Sequence, residues 1–462
     1  MDSHIPIHGG WPVLGALPGL RRDVLKELER AAEKGDLVRL ALPALPPVFL
    51  LTCPDGIRQV LQTRAESYGR TRFHDRLKPV MGEGLVTADG EHWRRQRQFL
   101  QPHFNASAVR RFVPTITAAV RGRARLWEGA GGAGTEIDVA EEMSILTLEI
   151  ILRCMFGRAA ADDIGSAIRD AQAYIAASFW RPFDWPTWLP TPANRRFRQA
   201  LSTMEAAVKR ILEARTGSDD HDDLLRSLES VYSPNACPAG QGEARLLRDE
   251  AMTVLLAGHE TSAVALAWAL HLVALNRDVA DEIRAEATTT FGDAGPSADE
   301  AGALVRTRAV VNEAMRLFPP VPWSARRART DDQLLGRRIP AGAIVIFSPW
   351  LLHRDERWWS NPTVFDPARF LGERNKTRRP WSFIPFGGGP RACIGLHLAM
   401  TEMVVVLAMI VRDFELSSAD RVTPPPQALV TLRPTRPLPI TFKPISAKNA
   451  GPCDSGEPNS AF

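Results

Sequence analysis

No C-x-x-C pair occurs anywhere in the 462 residues, and the five cysteines (Cys53, Cys154, Cys237, Cys393, Cys453) are odd in number and far apart. That argues against a disulfide framework or a zinc site and fits a reducing compartment. Charge of one sign is missing too. The 57 Lys+Arg nearly cancel 53 Asp+Glu, and a net +4 is too little to imply a nucleic-acid partner. No apolar run reaches the ~18 residues of a membrane span, because His259, Glu260 and Thr261 interrupt the longest candidate, 253–275. The N-terminus lacks a basic segment followed by an apolar run, so neither a signal peptide nor a membrane anchor is expected, and the expected location is cytoplasmic. No internal repeat appears. The balance of 45% hydrophobic and 24% charged residues is globular and excludes a disordered or collagenous chain.

Apolar periodicity predicts a helix at 22–35 and strands at 37–42 and 48–52. Helices follow at 91–100, 106–128, 139–156, 162–178 and 194–215, with an aromatic, Pro-rich connection at 180–192. After polar breaks at 216–223 and 233–243 comes one long helix, 246–276, of ~45 Å at 1.5 Å per residue. Helices at 280–291 and 303–317 precede Phe318-Pro319-Pro320, a stop signal. Strands are expected at 324–328 and 343–348, irregular chain at 354–385 and a last helix at 395–414. One domain, 1–445, and a polar, disordered tail, 446–462, account for the length.

The densest signal is Phe386-Gly-Gly-Gly-Pro-Arg-Ala-Cys-Ile-Gly395. Three glycines let the backbone approach something bulky, and Cys393 lies just before a helix, where the helix dipole and Arg391 favour a thiolate. A lone thiolate in such a loop suits a haem iron. A small buried hydrophobe is the competing reading, and on the loop alone the two stand level. Gly387, Gly389 and Ala392 also match G-x-G-x-x-A, but Pro385 disrupts the strand that a dinucleotide site requires and no second β-α repeat follows.

Phe386, Gly389, Arg391, Cys393 and Gly395 fill F-x-x-G-x-R-x-C-x-G, which resembles the haem-binding signature of the cytochrome P-450 family. Ala257-Gly-His-Glu-Thr261, Glu313-Ala-Met-Arg316, Phe365-Asp-Pro-Ala-Arg-Phe370 and Trp93-Arg-Arg-Gln-Arg97 stand in that family's order, so the resemblance covers about residues 10–445. It implies a mainly α fold, a single large helical domain with a smaller β-containing N-terminal part. It also implies a haem-thiolate monooxygenase of the soluble bacterial type, with haem b as cofactor and Cys393 as its iron ligand. Such an enzyme uses dioxygen and two external electrons to hydroxylate or epoxidise a lipophilic small molecule in secondary metabolism. The electrons come from a ferredoxin or flavodoxin with its reductase, and the enzyme is a monomer. The alternative within the fold is an isomerase, dehydratase or peroxygenase that needs no reductase.

The same resemblance implies residue roles. Ala257 lies against the macrocycle at a widened helix turn; Thr261 hydrogen-bonds dioxygen or a water, and Glu260 links it to solvent protons. On a 100° wheel Val254, Ala257, Gly258, Thr261 and Ala265 share one small-residue face. His259 lies off it and reads as structural. Trp93, Arg97, Arg326 and Arg391 hold the haem propionates, and Phe386 packs beside the ligand. Glu313 and Arg316, as a solvated pair, would contribute ~0.2–0.5 kcal/mol, but the resemblance joins them to Arg369 in a triad behind the cysteine loop. Trp180, Phe183, Trp185, Trp188 and Trp323 are candidates for an aromatic pocket or for packing. Arg94, Arg95, Lys376, Arg378 and Arg379 are candidates for a positive donor-docking face.

Overall fold

The computed structural model describes residues 5–43, 45–128, 134–157, 164–179, 186–213, 224–226 and 243–445. The tail 446–462, most of both polar breaks, and Trp180, Phe183 and Trp185 lie outside these residues. Helices carry most of the described chain, and where they start and stop follows local chemistry. Val139–Phe156 begins where Asp138 accepts the Ala140 N–H and ends at Gly157, φ +69°. Of three expected helices one, 106–128, is divided, and two, 22–35 and 303–317, begin two residues late behind a separate short helix. Asp23, in extended conformation, separates Leu17–Arg22 from Val24–Ala32 by capping the Lys26 N–H. Pro114 opens Val113–Trp127, which a 3-10 turn joins to Ala106–Val109. Leu304 divides Ala298–Ala303, with its Ser297/Glu300 capping box, from Val305–Leu317.

Glu243–Leu275 runs through the centre as a continuous α-helix of 33 residues. It packs against Val139–Phe156, Val305–Leu317 and Leu396–Asp413, the helix that follows the cysteine loop. Alanines and leucines on nearly every side suit a helix with neighbours all round. Trp268 anchors it: the indole stacks on Phe318 at 4.0 Å, and its N–H donates to the Leu432 carbonyl. Within this helix, Arg245–Leu275 is the one described segment long and apolar enough to cross a membrane, and 78% of its most apolar stretch is buried in the protein.

The main sheet is ordered Ile7–His8, Leu37–Leu40, Val48–Leu51, Ile344–Phe347, Ser324–Ala328, Tyr68–Gly69. Two of its strands therefore come from the second half of the chain. Val48 pairs in parallel with Ile344, and Tyr68–Gly69 pairs antiparallel to Arg327–Ala328. This last pairing brings Arg70 close to Arg326. The segment 68–90 also holds two single-turn helices, Arg72–Asp75 and Lys78–Met81.

Candidate active site

Gly389, at φ +66°, passes so close to the Leu61 carbonyl that a Cβ would lie 1.8 Å from its oxygen, so only glycine fits. The loop closes on itself where the Cys393 N–H donates to the Phe386 carbonyl at 2.9 Å, and Gly395 then caps Leu396–Asp413. Cys393 is accessible, whereas Cys53 and Cys154 are buried. The expected bias towards thiolate is not met by the chain alone: desolvation holds the thiol above its usual range, outweighing the Gly395 N–H and the Arg97 guanidinium, which pull it down. The cation facing the sulfur is thus Arg97, which also donates to the Ala392 carbonyl at 2.9 Å. The sequence points to Arg391 because it is two residues away, but Arg391 turns elsewhere.

Arg391 forms an ion pair with Asp89, donates to the Ala88 carbonyl and lies 4.0 Å over the Trp93 ring. Asp89 also pairs with Arg329 at 2.7 Å and accepts the Arg70 backbone N–H. Burial raises the Asp89 carboxyl, but these N–H donors and cations outweigh it and hold it below its usual range. Arg326 is buried in its strand, donating to the Ala325 carbonyl at 2.9 Å. Burial, with repulsion from Arg391, brings it down to about 10. Arg70 is lowered too, by burial and by repulsion from Arg326 and Arg391, and its Nε is buried without a hydrogen-bond partner. His74, 3.0 Å from the Arg70 guanidinium, is held neutral by burial and by the same cations.

Four guanidiniums therefore share one carboxylate, with a buried donor left over. Such an excess suits a dianionic ligand, because buried cations are stable only when paired. The two propionates of a haem are of that kind, and an accessible cysteine in a glycine cradle completes a fit to that cofactor. Sequence reasoning missed Arg70, His74 and Asp89. No periodicity marks them, and strand pairing and the cysteine loop bring their partners.

On the central helix, Ala257 is exposed and Val254, Gly258 and Thr261 are half-buried, between neighbours that are buried. Four of the five wheel positions thus border an accessible space, while Ala265 is enclosed. The widened turn is not formed; the helix is α throughout, and the Thr261 hydroxyl donates to the Ala257 carbonyl at 2.9 Å. Glu260 points away from Thr261. Its Oε1 accepts from the Thr431 hydroxyl at 2.5 Å and from Arg433 Nε at 2.8 Å. Arg433, in a β-hairpin, also donates to Gln172. His259 is buried beside the Leu255 carbonyl.

Behind the loop, Glu313 and Arg316 are fully buried and form a bidentate pair at 2.7 and 2.8 Å. The surface-pair reading is thereby excluded. Arg316 also donates to the carbonyls of His353, Pro362 and Val364, and Arg369 reaches Glu313 at 3.4 Å. The irregular chain is pinned by this triad because its carbonyls have no regular partners. Of the aromatic candidates, Trp323 packs edge-on against Phe73 at 5.5 Å and Trp188 is exposed. The candidate docking cations are largely neutralised: Arg94 and Arg95 share Glu91, Lys376 pairs with Glu373 and Arg379 with Asp55. Arg378 lies over Phe370 and Phe383.

The family model described as Cytochrome P450 matches residues 6–442. Among curated proteins, the chain is 33% identical to cyclooctatin synthase of Streptomyces melanosporofaciens, over 94% of this chain and 95% of that protein. It is 31% identical to cyclooctat-9-en-7-ol 5-monooxygenase of the same organism, over 88% of each. With pentalenene oxygenase of Streptomyces avermitilis the identity is 28%, over 93% and 95%. The loop around Cys393, the central helix and the buried triad are thus features of a known architecture: the chain belongs to the cytochrome P450 family and is an oxidoreductase of the monooxygenase class.

Proposed function

We propose that this enzyme hydroxylates or epoxidises a cyclic terpenoid in secondary metabolism, with haem b as cofactor and a ferredoxin or flavodoxin, with its reductase, as electron source. It acts as a cytoplasmic monomer. The observation that carries the cofactor assignment is the accessible Cys393 in a glycine loop beside a buried, under-neutralised arginine cluster. The substrate class follows from the relatives, whose names include a cyclooctatin synthase and a pentalenene oxygenase. When bound, a haem with a cysteinate ligand supplies reductive activation of dioxygen and insertion of one oxygen atom into a C–H or C=C bond.

The chain's own residues do the rest. Cys393 ligates the iron through Sγ, with Arg97 balancing its charge. Arg70, Arg326 and Arg391, the last braced on Trp93, hold the two carboxylates, and Phe386 closes the loop. Ala257 and Gly258, small and accessible, would leave room for the bound group. Thr261 presents a hydroxyl that can exchange the Ala257 carbonyl for a reacting partner, and Glu260 relays solvent protons when it leaves Arg433.

The test is a panel of cyclic diterpenes and sesquiterpenes titrated against the holoenzyme. A blue shift of the haem band on binding, and oxygenated product only with dioxygen and electron donors, is the expected result. Full turnover with peroxide alone would replace this reading with a peroxygenase.

A further inference from the structure

One stretch of the central helix carries more hydrogen bonds than its ladder needs. In a regular α-helix each carbonyl accepts the amide four residues on, and its second lone pair stays free. From 255 to 259 alternate carbonyls also take a side-chain donor. His259 Nδ1 lies 3.1 Å from the Leu255 oxygen and carries the proton there, because a carbonyl only accepts. The Thr261 hydroxyl donates to Ala257 at 2.9 Å, and the Thr147 hydroxyl stands 3.0 Å from the His259 oxygen. Side-chain donors of this kind compete with the ladder and mark places where helices bend. Gly258, whose backbone is the least restricted, sits among them.

Thr147 differs from the other two donors in coming from another element. It lies on Val139–Phe156 and is fully buried. Ile151, one turn on, meets Gly258 so closely that a Cβ there would stand 3.2 Å from its side chain, so the two helices touch at this point. The Thr147 hydroxyl has one hydrogen and two near acceptors, the Met143 carbonyl of its own helix at 2.8 Å and the His259 carbonyl at 3.0 Å. Both carbonyls already hold a helical amide, of Thr147 and Ala263, so neither needs the hydroxyl while both helices are closed. The balance changes when the Ala263 N–H leaves His259. That carbonyl is then bare inside a helix–helix contact, which is costly, and Thr147 is the donor within reach.

We infer that Thr147 is a positioning residue for the Glu260–Thr261 turn: its hydroxyl passes from the Met143 carbonyl to the His259 carbonyl when the turn opens, and so sets how often it opens. Given the role of Thr261 proposed above, on which this rests, the same opening releases the Thr261 hydroxyl from the Ala257 carbonyl for a reacting partner.

Hydrogen–deuterium exchange of the holoenzyme, followed at the 261–263 amides against those at 266–272 of the same helix, tests it. Thr147→Val keeps the shape of the side chain but removes its hydroxyl, so an opened turn leaves the His259 carbonyl bare. Opening should become rarer, and exchange at 261–263 about tenfold slower relative to the reference amides. A hydroxyl that only stitched two helices together would give the opposite sign, because its loss loosens the contact. Thr147→Ser should exchange as the parent does. Product formed per electron should fall about twofold or more in Thr147→Val and recover in Thr147→Ser. Unchanged or faster exchange in Thr147→Val, or a serine variant that behaves as the valine one, would overturn the proposal. So would a parent-like yield per electron in Thr147→Val when Thr261→Ala, measured beside it, is uncoupled. If Thr261→Ala itself keeps the parent's yield, the reading of Thr261 fails, and the exchange result alone decides for or against Thr147.

Discussion

Cys393 is the residue on which the chemistry turns, and its ligand role has a spectroscopic signature. The reduced, carbon-monoxide-bound protein should show the red-shifted Soret band of thiolate ligation, and Cys393→Ser should abolish it while Cys53→Ser leaves it unchanged. A shift surviving in Cys393→Ser would remove this residue as ligand. Thr261→Ala should retain haem and substrate binding but divert electrons to hydrogen peroxide, lowering product per electron by about tenfold or more. Equal coupling in variant and parent would leave Thr261 a helix residue and nothing else. Glu402, buried on Leu396–Asp413 with Oε1 unpartnered, sets a pH dependence. Burial raises its carboxyl to about 8, with the nearby Ser262 hydroxyl lowering it, and the buried thiol Cys154 is a titratable neighbour. Between about pH 4.5 and 8 the folded form holds a proton there that the unfolded chain has lost, so this group's contribution to stability falls as pH rises. Glu402→Gln should therefore gain on the parent by roughly 1 °C in Tm per pH unit across that window, seen by calorimetry, and an unchanging gap would contradict the assignment.

At the scale of elements, the buried Glu313–Arg316–Arg369 triad fastens irregular chain to Val305–Leu317. Glu313→Ala leaves the buried Arg316 without a carboxylate and Arg369 with only Asp366, 3.9 Å away, at a cost of about 3–5 kcal/mol, and should sharply lower the yield of haem-loaded protein. Abundant loaded variant with the parent's denaturation midpoint would contradict that role. This element also shows what the sequence makes legible. The Glu-x-x-Arg spacing reveals the pair, but only the packing of 353–364 over it distinguishes a buried clamp from a surface pair. Val139–Phe156 is legible to the residue because Asp138 and Gly157 mark both ends chemically. The breaks at Asp23, Arg110–Phe112 and Leu304 are not, because apolar periodicity continues straight across interruptions of one to three residues. The same limit applies at the site. The signature motif singles out Cys393, yet nearness in sequence picks the wrong arginine for its sulfur. The Arg433 partner of Glu260 comes from a distant hairpin that no local pattern connects to the helix.

Across the whole molecule, the electron donor must find one face of a nearly neutral protein. Because Arg94, Arg95, Lys376 and Arg379 already have acidic partners, steering there is weaker than the count of cations suggests. First-electron transfer at limiting donor should slow with salt by about tenfold at most, and Arg379→Glu, which also leaves Asp55 unpaired, should reproduce part of that loss at low salt. Indifference to both would mean that the donor docks by apolar contact or on another face. The approach of Gly389 to the Leu61 carbonyl has a consequence for how the protein is made. The cradle for the cysteine is shut by backbone from the first seventh of the chain, and the main sheet interleaves strands from both halves. A ribosome must therefore release nearly the entire polypeptide before any competent receptacle for the cofactor exists. Loading is a post-translational event, and a nascent chain stalled anywhere before residue 393 should recover no haem.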